Sequence, residues 1–273
     1  MKEMPRNMIP FVKAHACGND FLILEESLAQ RRHAELAKKL CARNTGIGAD
    51  GIEFLERRGT RDFFLRLFNA DGSEAELSGN GTRCVAAWLA QSEGVPEVAF
   101  NTHGGVRTCL VLEAHPPHFE IESSMGVPRV MPRTLSLEGI GDVPGAMVNV
   151  GNPHFVLFVK TDDFSAHGLS WQDLGAKIST SNHFNHGTNV EFVRLGAVGE
   201  IDFRIFERGC GPTTSSGTGT CASSAAAITL RGAARELTAN AEGGPQRVSW
   251  PGNDQPMMLT GPAEIVCSGE AEL

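Results

Sequence analysis

The sequence of 273 residues is poor in the features that mark membrane, secreted and nucleic-acid-binding proteins. No apolar run approaches the length of a membrane-spanning helix. The first residues, Met1–Arg6, hold no apolar stretch of the kind found in a signal peptide. Positive charge is scarce as well, because 24 Lys and Arg face 32 Asp and Glu and the net charge is −8. Phosphate binding needs a basic face, so we expect a cytoplasmic protein whose partners are neither nucleic acid nor membrane.

Paired cysteines and clustered histidines are also missing. The seven cysteines are an odd number, and none forms a Cys-x-x-Cys pair. This usage is typical of free thiols in a reducing compartment and excludes a disulfide framework. The nine histidines are scattered, and the close pair His115 and His118 flanks two prolines in a predicted turn. We therefore predict no metal site.

A Gly-Lys-Ser/Thr phosphate loop is absent too, although Gly46–Gly51 fits the dinucleotide pattern G-x-G-x-x-G. That pattern works when a strand precedes it and a helix follows, because the pyrophosphate must meet a helix N-terminus. Here a predicted helix precedes the pattern and the strand Ile52–Leu55 follows it. We interpret Gly46–Gly51 as a helix-to-strand turn.

The sequence does contain an internal repeat with an offset of 138 positions. Three pairs of blocks share this offset: Ser78–Gly81 and Ser216–Gly219, Arg66–Phe68 and Arg204–Phe206, and Gly51–Leu55 and Asn189–Val193. In the first pair, Ser-Gly-Asn-Gly recurs as Ser-Gly-Thr-Gly. The chain therefore reads as two copies of one unit, each of which offers a serine hydroxyl in a glycine loop.

The hydrophobic pattern predicts the same order of elements in each half. A helix is expected at Ser27–Arg43, and the two serine loops lead into helices at Thr82–Gln91 and Thr220–Arg231. A final short strand is expected at Ala263–Cys267. The Pro- and Gly-rich stretch Gly126–Gly145 is the best candidate for a domain boundary. The predicted domains are 1–128, completed by 262–273, and 129–261.

Each serine lies between a predicted strand and the N-terminus of a helix. Free backbone N–H groups and the positive end of the helix dipole meet there, and such a place binds a carboxylate or stabilises an anion. Amides, a guanidinium and a carboxylate that suit an amino acid occur in neighbouring segments. These residues are Asn19, Asn69, Asn152, Asn189, Arg208 and Glu207. The pattern predicts a paired site that holds the carboxylate of a substrate and flanks its α-carbon.

Several motifs together resemble those of the diaminopimelate epimerase family over nearly the whole length. The motifs are Gly18-Asn19-Asp20-Phe21, Gly46–Gly51, Phe68–Glu74, Gly151-Asn152-Pro153-His154, Thr188-Asn189-Val190 and Glu207-Arg208-Gly209. The resemblance implies an α/β (α+β) fold of two pseudo-symmetric domains, each a curled, mostly antiparallel sheet around a central helix. It implies a substrate cleft between the domains and no cofactor, and it suggests a homodimer.

The family converts LL-diaminopimelate to the meso form on the path to lysine and peptidoglycan. One cysteine thiolate removes the α-proton, and a second cysteine returns a proton to the opposite face. The resemblance places Ser78 and Ser216 at these two acid/base positions, supported by His154 and Glu207. It assigns substrate binding to the side chains of Asn19, Asn69, Asn152, Asn189, Glu207 and Arg208 and to the N–H groups of Gly79, Asn80, Gly217 and Thr218.

Serine in place of both catalytic cysteines is the main departure from the family. A thiol has a pKa of about 8.5, whereas a serine hydroxyl is a far weaker acid that needs an adjacent base. The flanking positions Cys210, Pro212, Thr213 and Ser215 also depart from the family pattern. These changes favour a natural relative with altered chemistry over an engineered pair. Cys17 and Cys210 lie in other loops that line the predicted site, and we expect both to be buried and inert.

Three functions stay open on the sequence alone. The first is an amino-acid epimerase of the diaminopimelate type, with serines at the acid/base positions. The second is a related lyase or isomerase in which one loop residue and Glu207 or His154 move a proton on another amino acid. The third is a non-catalytic protein that binds a diamino acid.

Overall fold

The structure is a computed structural model that describes residues 8–59 and 61–272, so the segment Met1–Arg6 lies outside the described residues. The chain divides into two compact units. Unit 1 comprises Met1–Ser123 and Pro262–Leu273, and unit 2 comprises Ser124–Gly261. The predicted domain ranges, 1–128 with 262–273 and 129–261, stay a prediction.

Strands dominate both units. The strands are β1 Met8–Ala16, β2 Asn19–Glu25, β3 Gly51–Arg57, β4 Phe63–Asn69, β5 Glu74–Ala75, β6 Glu97–Thr102, β7 Gly105–His115, β8 His118–Ser124, β9 Arg129–Leu137, β10 Gly141–Asn149, β11 Pro153–Phe158, β12 Asn189–Leu195, β13 Glu200–Glu207, β14 Gly211–Thr213, β15 Glu236–Ala241, β16 Gly244–Ser249 and β17 Met258–Glu272. The helices are α1 His33–Leu40, α2 Gly79–Glu93, α3 Trp171–Ser179 and α4 Gly217–Arg231. Within the described ranges, none of them is long and apolar enough to cross a membrane.

In unit 1 the strands surround helix α2. Strand β2 pairs in parallel with β3, β3 runs antiparallel to β4, and β4 makes a short parallel contact with β6. The hairpin of β6, β7 and β8 is antiparallel, as are the pairs of β1 with β2 and β17. Residues Gly79–Ala87 of α2 are all buried, because the helix is enclosed on every side by the apolar faces of these strands.

Unit 2 repeats this arrangement around helix α4. Strand β11 is parallel to β12, β12 is antiparallel to β13, and β13 makes a short parallel contact with β15. The pairs β9–β10, β10–β11, β13–β14, β15–β16 and β16–β17 are antiparallel. Residues Gly217–Ile228 are all buried. The expected fold is therefore confirmed: a mixed, sheet-rich α+β fold of two similar units, each with a buried helix.

The helix predicted at Ser27–Arg43 is wrong in extent. A short 3-10 helix covers Glu26–Leu28, and α1 begins only at His33. Between them Gln30 and Arg31 hold positive φ angles of 47° and 65°. A right-handed helix cannot contain this backbone conformation, so the predicted single helix is broken in two.

The last strand is longer than the predicted Ala263–Cys267. Strand β17 is longer because it pairs with two other strands. Residues 258–260 pair with β16 in unit 2, and residues from 264 onward pair with β1 in unit 1. The partner at the beginning of the chain could not be read from the local pattern.

The Pro- and Gly-rich stretch Gly126–Gly145 forms most of the hairpin of β9 and β10. Pro144 lies opposite Thr134, and Pro132 lies opposite Ala146. The stretch is therefore paired structure, and the division between the two units falls just before it, after Ser123.

Candidate active site

The N-terminus of α2 carries the first serine. Ser78 precedes the helix in an extended conformation, and its Oγ accepts a hydrogen bond from the Gly81 N–H at 3.0 Å. Ser78 is thus the N-cap of α2. The N–H groups of Gly79 and Asn80 belong to the first turn of α2, where the helix dipole favours an anion.

Two asparagines join this loop to the beginning of β2. Asn80 Nδ2 donates to Asn19 Oδ1 at 3.1 Å, and Asn19 Nδ2 donates to Asp50 Oδ2 at 2.7 Å. The fully buried Arg83 donates from Nη2 to Asn80 Oδ1 at 2.7 Å. The charged Arg83 side chain therefore fixes the orientation of Asn80, and Asn80 holds Asn19 next to the serine loop.

The N-terminus of α4 repeats the cap. Ser216 has the same extended backbone, and its Oγ accepts a hydrogen bond from the Gly219 N–H at 3.2 Å. A second oxygen lies close, because Thr218 Oγ1 is 3.4 Å from Ser216 Oγ. Ser216 is buried, whereas Ser78 is partly exposed.

A chain of hydrogen bonds leads from Ser216 to a buried acid. Asn152 Nδ2 donates to Thr218 Oγ1 at 3.3 Å, and Asn152 Oδ1 lies 2.8 Å from His154 Nε2. His154 Nδ1 lies 2.6 Å from Glu191 Oε1, with both side chains fully buried. In unit 2, the serine loop is therefore connected to a His–Glu dyad through one amide and one hydroxyl.

The geometry of this chain assigns the hydrogens. Since Asn152 donates through Nδ2, its Oδ1 faces His154 Nε2, which must then carry a hydrogen. The Thr218 oxygen accepts from Asn152, and either hydroxyl of the Thr218–Ser216 pair can donate to the other. Ser216 Oγ accepts from the Gly219 N–H. When the Thr218 hydroxyl also donates to it, negative charge on the serine oxygen is stabilised.

The dyad itself is held in low-dielectric surroundings. Burial raises the pKa of Glu191, and the neighbouring His154 opposes that rise. Two protonation forms fit this geometry. In one, the ionised Glu191 accepts from a doubly protonated His154 ring; in the other, the neutral Glu191 donates to His154 Nδ1. Both forms place one proton between the two residues. The dyad can therefore hold a proton without a net charge inside the protein.

Unit 1 has the acid but not the histidine. The register of the parallel pairs β2–β3 and β11–β12 makes Glu53 equivalent to Glu191 and puts Phe21 where unit 2 has His154. Glu53 is buried, and its Oε1 has no hydrogen-bond partner in the described part of the chain. Burial alone raises the pKa of Glu53 to about 8. The two serine loops have the same backbone conformation but differ in the side chains that pack against them.

Asn69, at the end of β4, is engaged in its own turn. Its side chain donates from Nδ2 to Ser73 Oγ at 2.9 Å, and its backbone N–H donates to the Ser73 carbonyl oxygen at 2.9 Å. The hydrogen bonds of Asn69 therefore do not join it to the Ser78 loop. Its predicted role in substrate binding stays a prediction.

Asn189, Glu207 and Arg208 lie together at the ends of β12 and β13. Asn189 Oδ1 accepts from the Arg208 backbone N–H at 2.9 Å, and its Nδ2 donates to the Pro153 carbonyl oxygen at 3.3 Å. Glu207 Oε1 accepts from Thr213 Oγ1 at 2.6 Å. Asn189 thus orients the turn that carries the predicted carboxylate and guanidinium, in the same unit as Ser216.

The two unusual loop cysteines differ in exposure. Cys17 is buried in the tight turn between β1 and β2, with a positive φ of 52°. Cys210 is exposed, so the expectation that it is buried is wrong. It lies in the turn between β13 and β14, where the positive φ angles of Gly209 and Gly211 lift the backbone toward solvent. In the described ranges, no three His, Cys, Asp or Glu side chains are grouped so as to hold a metal ion.

The sequence profile described as diaminopimelate epimerase matches residues 11–131 and 146–266, so that it covers both serine loops. The chain belongs to the diaminopimelate epimerase family. A protein named diaminopimelate epimerase from Synechocystis sp. is 35% identical over 97% of this chain and 99% of its own length. Another of that name, from Bacillus velezensis, is 35% identical over 96% of this chain and 98% of its own length. This is a family of isomerases.

Solved structures agree on the fold. A phenazine biosynthesis protein of the PhzF family from Bacillus anthracis is similar with a TM-score of 0.75 and 16% identity, over 97% of this chain and 99% of the other. A hydroxyproline epimerase from Agrobacterium vitis, solved with bound trans-4-hydroxy-L-proline, gives the same score and identity over 98% of this chain and 93% of the other. At such identity the likeness shows the fold alone.

Within this family framework, the structure groups part of the predicted site. It joins Asn19 and Asn80 at the Ser78 loop, and it joins Asn152, His154 and Thr218 at the Ser216 loop. Glu53 and Glu191 were not among the predicted site residues. The available signal was the repeat itself, because both acids stand at the same offset inside otherwise apolar strands.

Proposed function

We propose that this chain is a cofactor-independent amino-acid epimerase that converts LL-diaminopimelate to the meso form, in lysine and peptidoglycan precursor biosynthesis. One observation supports the proposal: a chain of this family holds two equivalent helix N-termini, each capped by a serine. The resemblance places these serines at the acid/base positions. A cytoplasmic location, expected from the composition, and a homodimer, suggested by the resemblance, stay predictions.

In the proposed reaction, backbone N–H groups hold the reacting carboxylate. The donors are those of Gly79, Asn80, Gly217 and Thr218, which lie in the first turns of α2 and α4, where the helix dipole also favours an anion. The remaining polar groups of the substrate would be bound by the side chains of Asn19, Asn69, Asn152, Asn189, Glu207 and Arg208. Binding a carboxylate in this way increases the acidity of the adjacent α-carbon, because the charge of the deprotonated form is stabilised.

The two serines exchange protons with the α-carbon in this proposal. Ser216 accepts from the Gly219 N–H and would accept from the Thr218 hydroxyl when the serine oxygen becomes negative, and His154 holds that arrangement through Asn152. Glu207 would support the acid/base work from the neighbouring turn. Because a serine hydroxyl is a much weaker acid than a thiol, we expect slow turnover compared with a cysteine pair.

The test is hydrogen exchange at the α-carbon. LL-Diaminopimelate is incubated with the chain in deuterated water, and NMR or mass spectrometry follows α-deuterium while chiral chromatography follows the meso form. We expect both to rise above a heat-inactivated sample. Absence of deuterium above that control would overturn the proposal.

A second candidate is favoured by the serine pair and its altered flanks, including Pro212 and the exposed Cys210. Here the chain is an isomerase or lyase of the same fold that acts on another amino acid, with one loop residue and Glu207 or His154 moving the proton. A screen of cyclic and linear amino acids for α-deuterium and for dehydration separates the two candidates. Calorimetric binding of diaminopimelate without any exchange would instead indicate a binding protein.

A further inference from the structure

Glu53 is a buried acid that the fold does not require. It stands in the middle of β3, where its side chain is 1% exposed and where neighbouring positions of the strand are apolar. A buried polar atom without a partner costs about 1–3 kcal/mol, and an ionised one costs more. An apolar residue at this position would avoid that cost. Unpartnered buried acids of this kind are found where chemistry needs them.

The Glu53 carboxyl group lies directly under the Ser78 loop. A Cβ atom added to Gly81 would lie 2.8 Å from the Glu53 carboxyl carbon and still closer to Oε1, so the acid fills the space of the missing side chain. The same Gly81 donates its N–H to Ser78 Oγ. Gly81 is therefore close to both the acid and the serine.

Unit 2 shows that this space is shared by a serine and an acid. A Cβ atom added to Gly219, the counterpart of Gly81, would lie 3.2 Å from Ser216 Cβ and 3.2 Å from Glu191 Oε1. In unit 2 the acid is engaged by His154. In unit 1 the equivalent side chain is Phe21, which leaves the Glu53 Oε1 available on the side of the loop.

We propose that Glu53 is the positioning and proton-accepting partner of Ser78, the adjacent base that a serine hydroxyl needs. Ser78 Oγ is an acceptor from Gly81, so its own hydrogen is available for donation. Glu53 Oε1 makes no hydrogen bond in the described structure, so the proposed transfer requires the Ser78 hydroxyl and the carboxyl group to come together past Gly81. As the substrate Cα–H bond breaks, its proton forms a new bond to Ser78 Oγ, and the hydrogen that Ser78 held moves to the Glu53 carboxylate. The electron pair of the broken bond stays on the substrate, and the reverse movement restores all three groups.

The proposal rests on the proposed epimerase function and makes it pH-dependent in a defined direction. Glu53 accepts a proton only when ionised, so exchange through Ser78 should increase as the pH rises through about 8, where half of Glu53 is ionised, and level off above that value. The ionisable side chains around this region are Cys84 and Arg83 on α2, Cys17 in the turn before β2 and Asp20 on β2. Burial raises the pKa of Cys84, so that thiol stays neutral over this pH range.

The first experiment needs no substrate. In the variant Ser78→Cys, alkylation of the introduced thiol by iodoacetamide is followed against pH by peptide mass spectrometry, which separates it from the native cysteines. A negative Glu53 beside it should raise the midpoint of thiolate formation, so adding Glu53→Gln should lower that midpoint by about one pH unit. The matched control is Glu56→Gln, which removes a carboxylate from the same strand at a partly exposed position. Equal midpoints with and without Glu53→Gln would overturn the proposal.

The second experiment uses the native serine chain and α-deuterium exchange between pH 6 and pH 9. Glu53→Gln should lose the rise with pH and be at least tenfold slower at pH 9, whereas Glu56→Gln should follow the native profile. Glu53→Asp, which keeps the acid, should retain the rise at a reduced rate. A native profile in Glu53→Gln would contradict the proposal. If even the native chain exchanges nothing, the epimerase function fails, and the thiol titration alone decides whether Glu53 acts on position 78.

Discussion

Ser78 and Ser216 cap their helices in the same way, with Oγ 3.0 Å and 3.2 Å from the N–H of the third residue along. The groups around them differ. In unit 2, the Thr218 hydroxyl lies 3.4 Å from the serine oxygen, and His154 is hydrogen-bonded to the buried acid behind it. In unit 1, an asparagine replaces the threonine, a phenylalanine replaces the histidine, and the acid lies alone.

This difference teaches which part of the repeat is constrained. The backbone of each loop is retained because it creates the cap and the anion site, and these need only Ser-Gly-x-Gly before a helix. The proton chemistry depends on side chains from neighbouring strands, and these have diverged. The Ser216 oxygen has a neighbouring hydroxyl, whereas the Ser78 loop packs against a carboxyl group with no hydrogen-bond partner at Oε1 in the described ranges, and we propose that this group accepts the Ser78 proton. The variants below test this asymmetry, from the largest expected effect to the smallest.

Replacing both serines by cysteine should give the largest change. A thiol is more acidic than a serine hydroxyl by several pKa units, and each unit is equivalent to about 1.4 kcal/mol. We expect Ser78→Cys with Ser216→Cys to accelerate α-deuterium exchange into diaminopimelate by about two to four orders of magnitude. The single variants Ser78→Cys and Ser216→Cys show how much each position contributes. NMR of the α-proton measures all three variants.

The control for this comparison is Ser92→Cys, which introduces a thiol on an exposed part of α2 away from both loops. It should leave the exchange rate unchanged. A double cysteine variant that is no faster than the native chain would show that the serine positions do not carry the reaction.

Making unit 2 resemble unit 1 should reduce stability. His154→Phe removes the partner of Glu191 and leaves that acid buried alone, which costs about 3–5 kcal/mol in comparable buried pairs. This loss of stability should become smaller as the pH is lowered toward 4.5. At that pH Glu191 is increasingly protonated in the unfolded chain as well, so keeping it neutral in the folded variant costs less free energy. Urea unfolding at pH 7 and pH 5 measures both values. His183→Phe, at an exposed histidine, should show neither effect.

The converse change removes the solitary acid of unit 1. Burial raises the pKa of Glu53 from 4.5 to about 8, so its neutral form is favoured in the folded protein and stability is lost as the pH rises from 4.5 toward 8. Glu53→Gln abolishes this titration. We therefore compare the change in the free energy of unfolding that Glu53→Gln causes at two pH values. This change should be more favourable by about 3 kcal/mol at pH 7 than at pH 4.5. Chemical unfolding at the two pH values measures the difference, and equal effects at both would mean that Glu53 titrates normally.

Sequence reasoning identified the repeat, the two capping serines and the amides that surround them, because these features are local or lie at a constant offset. Asn19 begins β2 and Asn152 immediately precedes β11 in equivalent Gly-Asn motifs, and each is hydrogen-bonded to the first turn of the helix that follows its serine. Their predicted role in substrate binding stays a prediction.

The buried acids could not be predicted in the same way. Glu191 meets His154 across the parallel pair β11–β12, 37 residues apart, and nothing in either strand alone indicates the contact. The isolation of Glu53 depends on Phe21, which in sequence is simply another apolar residue of a strand. Similarly, the broken helix at Gln30 and Arg31 reflects a backbone conformation that the apolar spacing of this region does not encode.

The smallest predicted effect tests the hydroxyl that unit 1 lacks. Thr218→Val keeps the shape of the side chain and the backbone N–H but removes the link between Asn152 and Ser216. Loss of one such hydrogen bond is worth about 1–1.5 kcal/mol, so we expect kcat for exchange to fall about tenfold while KM changes little. Thr218→Ser keeps the hydroxyl and should retain most of the native rate. If Thr218→Val instead raised KM with kcat unchanged, Thr218 would contribute to substrate binding and not to the stabilisation of the Ser216 oxygen, and the two loops would be more alike in their chemistry than their surroundings indicate.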